Sequence, residues 1–458
     1  MGEEVSLQMR SAAVDVVRRL RAAGFESYWV GGCVRDLLLG IEPLDYDVAT
    51  SATPEQAAPL FESTREVGRA FGVLQVRCAD SWIEVATFRS EGGYSDGRHP
   101  DSVHPADART DVLRRDFTIN ALLMNPLDGQ VLDYVGGRRD LEQRQLRAVG
   151  DPAQRFQEDA LRLLRAVRFT CRFDLEIEPA TRQALVAQAH RIRLVAAERA
   201  RDELLAMLLG PRPRRALTLL LDSGLLDHIA PEVKRLRGCE QSPRHHPEGD
   251  VWEHTLQMLE HMQASVAQPD AALALGVLLH DVGKPDARQR VGDQWVFHGH
   301  EKRGQEIAET VMQRLRVPNK TQSAVQMLIG QHMRFISVRE MRRSTLRRFI
   351  LQEGFDRLLE LHRLDALSSR GDLTTWEACR RELESVAQEE PPVRPLLSGD
   401  DLIERGYRAG PRLGVILRAL VDAQLEGSVR DRERAIAWVR EHFAPDPDEP
   451  PAGATPAA

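Results

Sequence analysis

Apolar and polar positions change rhythm near residue 140. Before it, short strand-like stretches, Ser27–Val30, Val73–Arg77 and Trp82–Phe88, are punctuated by glycine pairs at Gly31–Gly32, Gly92–Gly93 and Gly136–Gly137. After it, Leu, Ala and Arg recur with helical period to about residue 443, and strand signals nearly vanish. Asp151–Pro152 and Glu178–Pro179 mark helix boundaries, since proline suits the first helical turn. A Pro- and His-rich stretch, Ser242–Gly249, and a second break at Glu389–Pro395 interrupt the helical series. Pro445–Ala458, with five prolines in fourteen residues, reads as a disordered tail. No internal repeat is visible. The pattern predicts an α+β chain: an α/β head over residues 1–140, a helical neck over 141–240, a helical domain over 241–370, a helical C-terminal region over 371–444, and the tail over 445–458.

Composition sets bounds on this picture. The 458 residues suffice for about three domains. With 42% hydrophobic and 29% charged residues the chain is globular rather than disordered, and 5% aromatics fits helix packing on aliphatic side chains. The longest apolar run, Ala271–Leu279, falls far short of the roughly 20 residues that span a bilayer, so no membrane partner is expected. The first residues, MGEEVSLQMR, lack the apolar core of a secretory signal. Five scattered cysteines without CxxC spacing argue against disulfides or a cysteine zinc site, which points to the cytoplasm. The net charge of −7 excludes a globally basic nucleic-acid binder but not a local basic surface. One candidate is Arg138–Arg172, where nine arginines face five acids.

Candidate chemistry begins at Gly31–Thr50, GGCVRDLLLGIEPLDYDVAT. Asp45 and Asp47 alternate with Tyr46 and Val48 as on a strand, where residues i and i+2 share a side about 6.6 Å apart. Two carboxylates so placed repel unless a cation lies between them, and Mg²⁺ prefers such hard oxygen ligands. A solvated edge-strand pair is the alternative for an isolated DxD. Gly31 and Gly32 follow a strand and open a helix, a turn whose backbone N–H groups suit an anion, with Arg35 in the first helical turn within reach of a triphosphate. Glu84, in SWIEVATFR, shares a strand face with Trp82 and Ala86, and a neighbouring strand would bring it beside the aspartates. Three acids around one or two Mg²⁺ ions is what in-line nucleotidyl transfer needs.

GGCVRDLLLG…DYD with Glu84 downstream resembles the head of bacterial class II tRNA nucleotidyltransferases. RRDFTINA (Arg114–Ala121), DYVGGRRDL (Asp133–Leu141), EDALRLLRAVRF (Glu158–Phe169) and ERARDEL (Glu198–Leu204) resemble that family's further motifs in order. The resemblance implies metal-binding and catalytic roles for Asp45, Asp47 and Glu84, and nucleotide contacts from Gly32, Arg35 and Arg115. It implies that Asp159 and Arg162 read the incoming base. As i,i+3 neighbours on one helix, Glu158–Arg172, they would otherwise be an ordinary surface pair. A carboxylate accepts and a guanidinium donates. Cytosine and adenine each offer an amino donor beside a ring-nitrogen acceptor; uracil and guanine reverse both. Arg165 and Arg168 would serve phosphates or the tRNA backbone. Partners are then CTP, ATP and the tRNA 3′ end, with Mg²⁺ in the head and CCA, or part of it, as the product. The Gly- and Pro-rich stretch Ser90–Asp111 matches a loop that helps the family switch from C to A. A poly(A) polymerase-type or A-adding enzyme ranks second, since Val67–Phe71 reads VGRAF in place of a basic GRRF-type signature.

Asp250–Met262 and Ala271–Lys284 resemble an HD phosphohydrolase domain. This implies a divalent metal on His254, His280, Asp281 and Asp365, with His300 and His332 placed like the added histidines of two-metal sites. His245 and His246 read as loop residues nearby. Alternatives from other classes are an HD hydrolase with a relic head and a non-catalytic RNA-binding protein; the intact Asp45, Asp47 and Glu84 argue against both.

Overall fold

A computed structural model describes residues 2–66, 72–78, 80–94, 100–388 and 395–444. The VGRAF stretch, the break at 389–394 and the tail at 445–458 therefore lie outside the described residues.

The head is built on a seven-stranded mixed sheet of order β3-β4-β5-β2-β1-β8-β9. Its strands are β1 (Ser27–Val30), β2 (Val48–Thr50), β3 (Thr64–Glu66), β4 (Val73–Cys78), β5 (Ser81–Thr87), β8 (Leu122–Met124) and β9 (Val131–Asp133). Neighbours pair antiparallel except β2 and β5, which are parallel. One face is covered by α1 (Gly2–Ala22), which buries Ala13, Val16, Val17 and Leu20 against Trp29, Val48 and Val85. The other face buries Val30, Ala49, Phe88 and Leu123 under Ala108 and Val112 of α3 (Ala108–Leu113), which follows the short α2 (Gly32–Leu38). Part of the loop expected at Ser90–Asp111 is regular structure. Strands β6 (Arg89–Gly92) and β7 (Ser102–Pro105) form a hairpin at its base, and residues 95–99 lie outside the described residues.

The chain then turns helical through α4 (Pro152–Glu158), α5 (Leu161–Phe173), α6 (Ala197–Leu208) and α7 (Pro213–Asp222). Helices α8 (Val251–Ser265), α9 (Ala271–Leu279), α10 (His300–Arg314), α11 (Asn319–Gln331), α12 (Arg343–Ile350) and α13 (Phe355–Ser368) follow. A small hairpin, Gln289–Val291 with Gln294–Val296, has no counterpart in the sequence reading. Almost every side chain of α9 is buried, as expected of a helix apolar all round. Gly283 lies where a Cβ would come within 2.2 Å of the His300 carbonyl oxygen, so the turn after α9 can approach α10 only without a side chain.

One apolar core runs from Ala12 in the head through the neck to Cys379. Leu397, Leu402, Tyr407, Leu420, Val429 and Val439 form a separate small core, closed by α14 (Pro411–Leu425) and α15 (Arg432–His442). The five cysteines are free and buried. Among the described residues no helix is long and apolar enough to cross a membrane.

Candidate active sites

In the head, the aspartates precede β2 rather than lying in it, because the strand begins at Val48. The strand-like alternation still holds. Tyr46 turns inward, 2% exposed, with its ring 4.7 Å from that of Trp29, and leaves Asp45 and Asp47 exposed on either side. The Val30 amide donates to the Asp47 carbonyl at 3.0 Å, which fixes this lead-in against β1. Val48 lies opposite Val85 in the parallel β2–β5 pair, so Glu84 stands level with Asp47. The carboxylates feel one another. Although Asp47 reaches solvent, the surrounding protein and then Glu84 and Asp45 push it up to about 6, against the pull of Arg115. Glu84 is raised by burial and by Asp45. Such mutual repulsion is what a bound cation would relieve.

Gly31 adopts a φ of 76°, and a Cβ there would sit 3.3 Å from Nη1 of Arg115. The Gly31–Gly32 turn and Arg115 therefore pack together beside the carboxylates, and Arg115 is braced by Asp111 at 3.0 Å. Arg35 departs from expectation. It is 4% exposed, donates to Asp36 at 2.8 Å and to Asn120 at 2.5 Å, and lies 4.1 Å over the Phe173 ring. Its long side chain folds inward because the aromatic face and the buried Asp36 compensate its charge, so it ties α2 to the neck instead of projecting to a phosphate. Arg35→Ala should leave Asp36 buried and unpaired and lower head stability by about 3–5 kcal/mol, read as a shift in the urea midpoint of the full chain.

The neck holds a second correction. Glu158–Arg172 is not one helix: α4 ends at Glu158, Asp159 is extended, and α5 starts at Leu161. The Asp159 carboxylate accepts from the Leu161 amide at 2.9 Å, capping the new helix start. Asp159 and Arg162 therefore do not pair with each other. Asp159 is bound by Arg199 at 3.0 Å, and Arg162 by Glu158 at 2.7 Å and by the carbonyls of Arg155 and Arg114. Arg165 pairs with Asp116 at 2.7 Å and Arg168 with Glu203 at 2.6 Å, so both are engaged within the protein. Asp116, Glu158 and Arg199, which fix these groups, were not singled out from sequence although each lies in a quoted motif.

The HD segment gathers its residues tightly. His254 on α8, His280 and Asp281 after α9, His300 opening α10 and His332 ending α11 are all buried. Nδ1 of His280, His300 and His332 lies 3.0, 2.8 and 2.7 Å from the carbonyls of Val277, Phe297 and Ile329. A carbonyl only accepts, so each Nδ1 carries the proton and each Nε2 is left to bind elsewhere. Those Nε2 atoms converge. His280 is 3.1 Å and His300 3.4 Å from the Asp281 carboxylate, and the His300 and His332 Nε2 atoms lie 3.2 Å apart. His254 Nε2 is 3.2 Å from Asp365. Nε2 of His254 and of His280 are buried without a hydrogen bond, a costly arrangement that a metal would satisfy. Asp281 belongs both to a group with His254 and His280 and to one with His300 and His332, each within 4.8 Å. That donor set can hold one or two divalent ions.

Burial opposes charge on His254, yet the nearby carboxylates of Asp365 and Glu248 carry it up to about 9. Burial and His280 hold His332 down to about 4. Against burial, His280 and Lys284 keep Asp281 well below the usual carboxylate range, with Lys284 at 2.7 Å. A cavity of about 610 Å³ opens over this cluster, lined in part by His245, His246, Asp281, His300, His332 and Asp365. Glu248, bound to His254, and Lys284, bound to Asp281, adjoin the cluster and were not assigned from sequence. Glu248 sits in the Pro- and His-rich stretch without helical or strand periodicity to orient it.

Comparison with known proteins agrees with this order of parts. The family model for the poly A polymerase head domain matches residues 27–147. That for the probable RNA and SrmB-binding site of polymerase A matches 174–236, and that for the HD domain 251–358. A CCA-adding enzyme of Levilactobacillus brevis is 46% identical over 46% of this chain and 54% of its own length, so the chain matches only about half of that relative. A CC-adding tRNA nucleotidyltransferase of Thermus thermophilus is 35% identical over 90% of this chain and 93% of its own length. The solved structure of a Bacillus stearothermophilus CCA-adding enzyme in complex with CTP superposes with a TM-score of 0.70 at 28% identity, covering 94% of this chain and 97% of that one. Similarity maintained across nearly the whole of the Thermus relative shows that the chain belongs to the tRNA nucleotidyltransferase family.

Proposed function

We propose that the chain is a tRNA nucleotidyltransferase that adds C and A to tRNA 3′ ends from CTP and ATP. The carrying observation is the register that sets Glu84 level with Asp47, beside Asp45 and within reach of the Arg115 charge. In this reading Asp45 and Asp47 hold Mg²⁺, which when bound supplies Lewis-acid charge at the reacting phosphate. Glu84 completes the carboxylate group, and Arg115 and the Gly31–Gly32 turn receive phosphate oxygens. The terminal tRNA hydroxyl attacks the α-phosphate in line, the new phosphodiester forms, and pyrophosphate leaves. Asp159 and Arg162, held by Arg199 and Glu158, read the base edge; Arg165 and Arg168 support that surface. The test is incubation with tRNA ending before CCA, with CTP and ATP together and separately, and sequencing of the product. A stop after two C residues, the product in the name of the Thermus thermophilus relative, is the second reading, and the failure of ATP to extend tRNA ending in CC would establish it in place of the first.

The HD cluster supports a second activity, metal-dependent hydrolysis of a phosphoester near an RNA 3′ end, such as a 2′,3′-cyclic phosphate or a 2′-phosphate. A blocked end would be cleared before the head extends it. His254, His280, Asp281 and Asp365 would hold the metal, whose charge would supply Lewis-acid activation of the phosphoester and of the attacking water. His280→Ala should lose bound metal in elemental analysis while nucleotide addition by the head continues. Phosphatase and cyclic phosphodiesterase assays with Mg²⁺, Mn²⁺, Ni²⁺ and Co²⁺ should show turnover in the wild type; silence with all four would leave the domain as a structural body.

A further inference from the structure

We propose that Glu248 is a positioning residue of the HD metal centre, fixing the His254 ring through Nδ1 while His246 donates to the same carboxylate oxygen. The proposal rests on the reading of the HD cluster as a metal site. Glu248 lies in the connection between neck and α8, and its side chain is only 4% exposed. One oxygen, Oε1, lies 2.6 Å from Nδ1 of His254 and 2.9 Å from Nδ1 of His246. An ionised carboxylate only accepts, so both Nδ1 atoms donate to it. The His254 ring is thereby locked with Nε2 turned toward Asp365 and its group with His280 and Asp281. The two imidazoles meet edge to face, with centroids 5.0 Å apart.

This differs from what orients the other histidines. His280, His300 and His332 each take their orientation from a neutral carbonyl three residues back on their own chain segment. His254 takes its orientation from a charged group in a different segment. A carboxylate behind a ligating imidazole fixes its tautomer and raises its basicity, making it the stronger donor. The other oxygen, Oε2, is buried without a hydrogen-bond partner. A buried carboxylate half unsatisfied is an unfavourable choice for packing alone. The loop is tied down around it: Arg370 donates to the Arg244 carbonyl at 2.8 Å, and the Gly238 amide to Asp250 at 2.6 Å. These bonds hold the chain on both sides of Glu248.

The experiment uses the full chain, stripped by a chelator and titrated with Co²⁺, with affinity from calorimetry and coordination from the visible d–d absorption. Wild type, Glu248→Ala, Glu248→Gln and His254→Ala are compared. Glu248→Ala should weaken Co²⁺ by roughly 10–100-fold and alter the absorption bands. Glu248→Gln keeps an acceptor for Nδ1–H without the charge, and should fall between wild type and Ala. Far-ultraviolet dichroism reports that the helices persist. Wild-type affinity and bands in Glu248→Ala would overturn the proposal. Loss in Glu248→Gln as complete as in His254→Ala would also overturn it, since Glu248 would then be a ligand. Absence of Co²⁺ binding by wild type would remove the metal reading itself, and is recognised by the missing signal in every variant.

Discussion

Asp47→Ala should abolish nucleotide addition, with a rate loss on the order of 10³-fold or more, because several kcal/mol of metal-borne charge stabilisation would go with the carboxylate. Asp45→Ala should do the same. Both side chains are exposed and turn away from the core that Tyr46 anchors, so neither removal opens a cavity. Folding should be unaffected, and removing Asp47 even relieves repulsion on Glu84 and Asp45. Single-turnover extension of a tRNA lacking its 3′ end, beside a thermal melt, checks both halves. Near wild-type extension by either variant would show that the head does not use this carboxylate group to hold its metal.

Asp159→Asn should erode the choice of CTP over UTP by at least about 10²-fold while leaving tRNA affinity nearly unchanged. An amide presents both a donor and an acceptor, so uracil no longer meets a reversed contact at that position, and discrimination built on buried polar pairing is lost when the pairing is lost. Asn can still accept the Leu161 amide, so the start of α5 should survive, whereas Asp159→Ala removes the cap as well at about 1 kcal/mol. Competition between CTP and UTP in one extension reaction gives the ratio directly. An unchanged ratio in both variants would show that Asp159 does not face the base.

Why these groups were readable from sequence differs from one to the next. Asp45 and Asp47 were visible because a period of two survives even where the backbone has not entered the ladder, with buried Tyr46 between two exposed acids. A place for Glu84 beside the aspartates was readable from its strand face, but not its register level with Asp47, since a parallel pair is joined by a long connection and its register is set by distant packing. The break at Asp159 carries no glycine or proline; its one signal is an aspartate two residues before an apolar helical run, a capping pattern that the continuous Arg/Leu periodicity masked. Arg35 was misplaced because a cation near a helix start can turn outward to phosphate or inward over an aromatic ring. Phe173, which decides the matter, lies 138 residues away. The HD histidines were legible because Asp250–Met262 and Ala271–Lys284 resemble an HD domain, and the close approach to α10 explains Gly283 within the second segment.

The unbroken core has a consequence for how such a protein can change over time. Neck and HD helices share apolar contacts, and Arg201 of the neck donates to the Arg316 carbonyl at 2.6 Å while Arg316 pairs with Glu198 at 2.7 Å. Deleting the HD segment would strip Glu198 and Arg201 of their partner Arg316, on the same helix whose Arg199 holds Asp159. A lineage with no use for hydrolysis would therefore still be obliged to keep the helices, while nothing in the packing would oblige it to keep His254, His300 or His332 as histidines. Inheritance of the domain and inheritance of its chemistry are separable, and in this chain the buried histidines and Asp281 are present alongside the scaffold.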